Sequence, residues 1–169
     1  MKDAAPQTIY LKDYKVAVFL IEKTKLTFDL GEIQTSVTAE LAVVRNIASE
    51  DLSDNLVLDG SAGLDLQWVK VDGQLLIPSD YHQDAESLTI FSLPDQCVVT
   101  TEVFIKPHLN TTMMGLYRSR TMYCTQCEAE GFRDITYYLD RPDVMSEFTT
   151  TVIGDQQQYP ILLSNGNPI

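Results

Sequence analysis

Apolar and polar residues alternate at every second position along much of this chain, the period of a half-buried strand. Val37, Ala39, Leu41 and Val43 interleave with Thr38, Glu40, Ala42 and Val44. Upstream, Leu26-Thr27-Phe28-Asp29-Leu30 alternates, and Gly31-Glu32-Ile33-Gln34 is placed to turn that strand into the next. Leu64, Leu66 and Trp68 alternate with Asp65, Gln67 and Val69. Asp72-Gly73 then stands between Trp68-Val69-Lys70-Val71 and Gln74-Leu75-Leu76. Asp-Gly supplies the positive φ angles of a two-residue hairpin, so a tight turn is predicted there. Further strands are predicted at Ser87–Leu93, Cys97–Lys106, Phe148–Ile153 and Tyr159–Leu163, with a second hairpin-type turn at Asn165-Gly166.

Helical periodicity is scarce. The best candidate is a short turn over Arg141–Glu147, with Pro142 in its first turn and Asp140 as cap. Many short strands with turn signals between them predict an all-β fold, an antiparallel sandwich or open barrel. A length of 169 residues suits one domain with a single core.

Charge narrows the partners. Lys and Arg total 12 against 24 Asp and Glu, a net charge of −12. Such a surface repels nucleic-acid phosphates and anionic membranes, so neither is an expected partner. No apolar run approaches the roughly 18 to 20 residues of a membrane span, and Met1–Gln7 has no apolar region of a secretory signal. Three cysteines, Cys97, Cys124 and Cys127, suit a reducing compartment better than a disulfide framework, which points to the cytoplasm.

The richest chemistry lies in Cys124–Phe132, which reads as a loop. Cys124-x-x-Cys127 has the spacing of a metal or redox pair, but the other ligand types, Cys97, His82 and His108, stand at no zinc spacing. No βαβ context supports a redox motif; two ordinary free thiols is the simpler reading. Glu128 and Glu130, two apart on an extended segment, would point the same way, which allows a shared site, although acidic pairs are abundant in a chain of net charge −12 and most are solvated. Neither histidine sits in a motif for nucleophilic catalysis. His82 reads as a surface loop residue and His108 as a strand end.

The segment also carries a family resemblance. Gly115-Leu116-Tyr117, then Cys124-Thr125-Gln126-Cys127-Glu128-Ala129-Glu130-Gly131-Phe132-Arg133, then Ile135–Val144 closely resemble the aminopeptidase N family of bacterial metallo-aminopeptidases. Phe148-Thr149-Thr150, Tyr159-Pro160 and Leu162–Asn167 continue the match in order, and Leu26–Leu30 matches more loosely.

The resemblance implies a saddle-shaped antiparallel β-sandwich as the first domain of a larger enzyme. In that family a thermolysin-like domain follows, with a G-x-M-E-N segment and an H-E-x-x-H zinc helix. The first domain lends a loop to the cleft. Its Gln-x-Glu pair matches Gln126 and Glu128, implying that Glu128 contacts the free α-ammonium of a peptide substrate and Gln126 adds a neutral acceptor. Glu130 is implied to be structural, and Arg141 and Asp143 to fasten the loop. Neither H-E-x-x-H nor G-x-M-E-N occurs in this chain, and its two histidines cannot build the family's zinc site.

Residues 1–169 are therefore expected to be one truncated N-terminal β domain. No catalytic or metal-ligating residue is expected in it. Zinc and the catalytic partner domain are expected elsewhere in the parent zinc aminopeptidase, and the fragment alone is expected to be inactive. The alternative is a stand-alone β-sandwich binding module.

Overall fold

A computed structural model describes residues 10–169. The Met1–Gln7 segment, expected to lack a secretory signal, lies outside them. Among the described residues, eleven strands form three sheets. β1 (Phe19–Asp29), β2 (Thr35–Arg45), β4 (Asp65–Val71), β5 (Gln74–Leu75), β8 (Gln96–Ile105) and β11 (Glu147–Ile153) make a six-stranded sheet in the order β11-β1-β2-β8-β4-β5. β3 (Leu56–Asp59), β7 (Ser87–Ile90) and β6 (Tyr81–Gln83) make a second sheet. β9 (Gly115–Ser119) and β10 (Met122–Gln126) form a separate hairpin. Pairing is antiparallel except at β1–β11, where the strands run parallel.

The predicted alternation is what fills the core. Val37, Ala39, Leu41 and Val43 of β2 are all fully buried. They meet Leu56, Leu58, Leu88 and Ile90 from the three-stranded sheet in one apolar cluster, the interleaved filling of a sandwich. A bulge at Glu22 switches the parity of β1, so that Phe19 and Ile21 on one side of it, and Leu26 and Phe28 on the other, all face inward. Asp72 (φ 49°) and Gly73 (φ 80°) form the predicted tight turn between β4 and β5.

Four local expectations are corrected. A bulge at Gln67 flips parity in β4, so Val69 is buried, whereas the Trp68 indole lies on the other face and donates to Glu102 at 2.6 Å. Tyr159–Leu163 is not a strand; Pro160 lacks a donor, and Ile161 and Leu163 are exposed. Asn165-Gly166 is a bend without flanking strands. Arg141–Val144 is a single turn rather than a helix, closed by Val144 N–H on the Arg141 carbonyl at 3.2 Å. Asp140 caps nothing there because Arg133 occupies its carboxylate.

His82 belongs to β6 rather than to a loop, though it is exposed. His108 is not a strand end: β8 stops at Ile105, and His108 lies in the 3-10 turn Pro107–Leu109 that follows. No helix among the described residues is long and apolar enough to cross a membrane.

Candidate functional site

Cys124, Thr125 and Gln126 are not loop residues; they are the last residues of β10. The hairpin turn that delivers them has Arg120 at φ 57°, with no glycine or asparagine to announce it. Beyond Gln126 the chain folds back sharply. Gly131 N–H donates to the Cys127 carbonyl at 2.9 Å, and a 3-10 turn follows at Phe132–Asp134. Gly131 is required by contact: a Cβ there would sit 2.7 Å from Met114 Cε, 2.9 Å from the Gln126 carbonyl and 3.0 Å from Cys127 Cα. Two of those neighbours are backbone and cannot swing aside.

Gln126 and Glu128 line one open cleft of about 760 Å³. Leu26, Phe28, Phe132 and Phe148 supply its apolar walls, and Ser164–Asn167 its far rim. Gln126 Nε2 donates to the Glu128 carbonyl at 3.1 Å, which leaves the Gln126 side-chain oxygen as an acceptor. Among the described residues, no hydrogen bond or ion pair reaches the Glu128 carboxylate. One unpaired carboxylate and one neutral acceptor on an apolar-walled cleft are chemically suited to accept hydrogen bonds from a cation with several donors.

Glu130 does not share that cleft. The expectation that Glu128 and Glu130 point the same way assumed an extended segment. Here they sit in the turn closed by Gly131 N–H on the Cys127 carbonyl, with Glu130 at φ 65°. Glu130 pairs instead with Arg133 at 3.8 Å.

Arg133 lies behind the turn in a cluster of acids. Its Nε and backbone N–H both donate to Asp140 Oδ2, at 3.0 and 3.1 Å, and Nη2 donates to the Asp140 carbonyl at 3.1 Å. Nη1 stands 3.8 Å from Asp59 at the end of β3. Burial opposes the guanidinium charge, but Asp140, Asp59 and Glu130 outweigh it and raise its pKa. Arg141 and Asp143 form a two-pronged pair at 2.9 and 2.7 Å. They fasten the chain start rather than the cleft turn: Arg141 donates to the Lys15 carbonyl at 2.7 Å and Tyr14 O–H to Asp143 at 2.6 Å. The hydrogen bond from Arg141 holds the Asp143 carboxyl down to about 2.

Cys97 and Cys127 are unactivated thiols. Burial, with Asp72 nearby, pushes Cys97 up to about 11; burial raises Cys127, with Asp140 and Asp134 adding to it. Among the described residues, no three His, Cys, Asp or Glu side chains gather as a metal site.

Comparison with known proteins decides what scaffold this is. A family model described as the peptidase M1 N-terminal domain matches residues 23–169. The chain belongs to the peptidase M1 N-terminal domain family. The M1 N-terminal domain described here is 47% identical, over its full length, to "Aminopeptidase N" of Caulobacter vibrioides, of which it covers 19%. Its fold superposes on Legionella pneumophila aminopeptidase A, solved in complex with aspartic acid. The TM-score is 0.83 at 34% identity, covering 92% of this chain and 18% of that one. An M1 zinc metallopeptidase of Deinococcus radiodurans, bound to a Tyr-Ser-Ala substrate, shares the fold alone. That match has a TM-score of 0.64 at 17% identity, covering 82% of this chain and 33% of the other. The chain thus spans about a fifth of the length of the curated relative it matches.

The zinc of such enzymes does not fit the residues of this M1 domain. His82 lies on β6 and His108 beyond β8, and among the described residues neither belongs to a cluster of three or more potential ligands. No chemical step is assigned to a metal held here. The family resemblance named Gln126 and Glu128, but nothing in the sequence named Asp59, whose carboxylate receives the Asp140 N–H at 3.0 Å across 81 residues of chain. No local signal announces a contact of that separation.

Proposed function

We propose that this domain supplies the amine-recognising loop of a zinc aminopeptidase that removes N-terminal residues from peptides. Glu128 receives the substrate α-ammonium through a charge-assisted hydrogen bond, and Gln126 offers a neutral acceptor to another of its donors. A chain terminus differs from an internal peptide bond by one charge and three donors, so this pair discriminates the two. The observation that carries the reading is the unpaired Glu128 carboxylate on the same cleft as the Gln126 amide.

The rest of the chemistry belongs to a catalytic domain in the same polypeptide, which holds the zinc with ligands outside these residues. That domain is proposed to close the cleft. Phe148, Ile161 and Leu163 give exposed apolar surface on this side for it to cover. Closure matters energetically. An exposed ion pair is worth about 0–1 kcal/mol, whereas a hydrogen bond to a charged group in a closed site is worth about 1.5–3 kcal/mol. Micromolar affinity needs roughly −8 kcal/mol, so the isolated domain binds free-amine peptides too weakly to matter. Its free thiols suit a cytoplasmic setting.

Glu128→Gln in the full-length enzyme tests the reading. KM is expected to rise about 10- to 100-fold, the loss of one charge-assisted bond, with a smaller change in kcat. An unchanged KM contradicts it. The isolated chain is expected to release no chromogen from an aminoacyl substrate with zinc present; measurable zinc-dependent release contradicts the division of labour.

A further inference from the structure

We infer that Arg133 is a positioning residue for amine recognition, holding the Cys127–Gly131 turn so that Glu128 faces the cleft. The inference rests on the reading of Glu128 as the amine-binding group.

The argument begins with charge. Arg133 is the one cation among three carboxylates, those of Asp140 (3.0 Å), Asp59 (3.8 Å) and Glu130 (3.8 Å). The Arg133 side chain is 27% exposed and that of Asp140 14%, so water screens this pair incompletely. Without the guanidinium, three carboxylates arranged around its place lose their shared counter-charge.

Their freedom to separate is unequal. Asp59 is fixed by a two-way backbone pair with Tyr138, its N–H on the Tyr138 carbonyl at 2.7 Å and the Tyr138 N–H on its own carbonyl at 3.0 Å. Asp140 is tied to Asp59 through its own N–H. Glu130 has neither restraint. Its side chain is 70% exposed, and its backbone lies in the turn. On the far side of Gly131, Phe132 is wedged against the Tyr138 and Phe148 rings, at centroid distances of 4.8 and 5.8 Å. Repulsion is therefore relieved by swinging the turn about Gly131, and that motion carries Glu128, two residues from Glu130, out of register with Gln126. Lysine at position 133 keeps the charge but cannot reach Asp140, Asp59 and Glu130 with one planar fork.

The test uses the full-length aminopeptidase that carries this domain. KM and kcat are measured for an aminoacyl substrate, with the inhibition constants of an α-amine inhibitor and its desamino analogue. Arg133→Met is expected to raise KM about 10-fold with kcat within about twofold, and to shrink the preference for the amine inhibitor by the same factor. Adding Glu130→Gln to Arg133→Met removes the repulsion and is expected to restore most of both losses. A general folding role would not respond to that second change. An unchanged KM in Arg133→Met, or a raised KM that Glu130→Gln leaves unrestored, overturns the inference.

If Arg133→Met does not accumulate, Arg133→Lys carries the test. A KM rise of about threefold, reversed by Glu130→Gln, supports the inference, and no rise overturns it. Glu128→Gln is run alongside. No KM effect there sinks the reading of Glu128 itself, whereas a Glu128 effect without an Arg133 effect sinks only the role of Arg133.

Discussion

Leu41, at the centre of β2, and Glu128, on the turn after β10, are held by opposite means. Leu41 is fully buried in the apolar cluster that fills the sandwich. Its strand is paired along both edges, with β1 and β8, so its backbone needs nothing else. The Glu128 turn has no sheet partner. A glycine contact, an aromatic wedge and a guanidinium among acids fix it instead. The sheet is redundant, and the turn depends on a few directional contacts. A site that must meet a charged ligand can be built only in the second way, because a carboxylate cannot be left unpaired in an apolar core.

The comparison can be broken at its strongest point first. Leu41→Ala removes a side chain from the middle of the sandwich and is expected to cost about 2–5 kcal/mol. Urea unfolding should show the whole domain weakened in one transition. Gly131→Ala is expected to cost less, about 1–3 kcal/mol, because its Cβ meets backbone at the turn but leaves the sheet untouched. Hydrogen exchange should speed up in the Cys127–Phe132 segment while β2 amides stay protected. Equal acceleration in β2 would mean that turn and sheet are one cooperative unit.

The smallest expected effect lies at Asp143. Its folded pKa of about 2 lies below its unfolded value, so its pairing stabilises the fold above that unfolded value and is lost as pH falls through about 2. The pair is near the surface, so solvent screening limits the contribution to about 0.5–1 kcal/mol. Asp143→Asn should be less stable than the native chain by that amount at neutral pH. The gap should close below roughly pH 4, where the reference carboxyl begins to protonate. A gap that persists at pH 2 would mean that packing of Tyr14 and Arg141, not charge, holds the chain start.

Most of the sheet was readable from local pattern. β2 and the Asp72-Gly73 turn were, because inward-facing side chains alternate and Asp-Gly needs no distant partner. β4 was misread at Trp68 because a bulge changes parity without changing composition. β11 was found as a strand, but its parallel pairing with β1 joins segments far apart in sequence and leaves no local trace. The β9–β10 hairpin went unread because Arg120 takes a left-handed φ without a turn residue's signature.

The site was less legible. Gln126 and Glu128 were named through family resemblance, since no spacing rule separates Glu128 from Glu130. Their divergence came from a turn that alternation cannot foresee. The carboxylates around Arg133 come from β3, the turn and the stretch before Arg141, a convergence only the fold creates.

Glu128 and Glu130 therefore provide the most direct test of the central claim. KM is measured for the full-length enzyme carrying Glu128→Gln and, separately, Glu130→Gln. The account predicts a rise of about 10-fold or more for the first and less than about twofold for the second, because only one of these carboxylates faces the cleft. Equal effects, or a larger loss at Glu130, would contradict it.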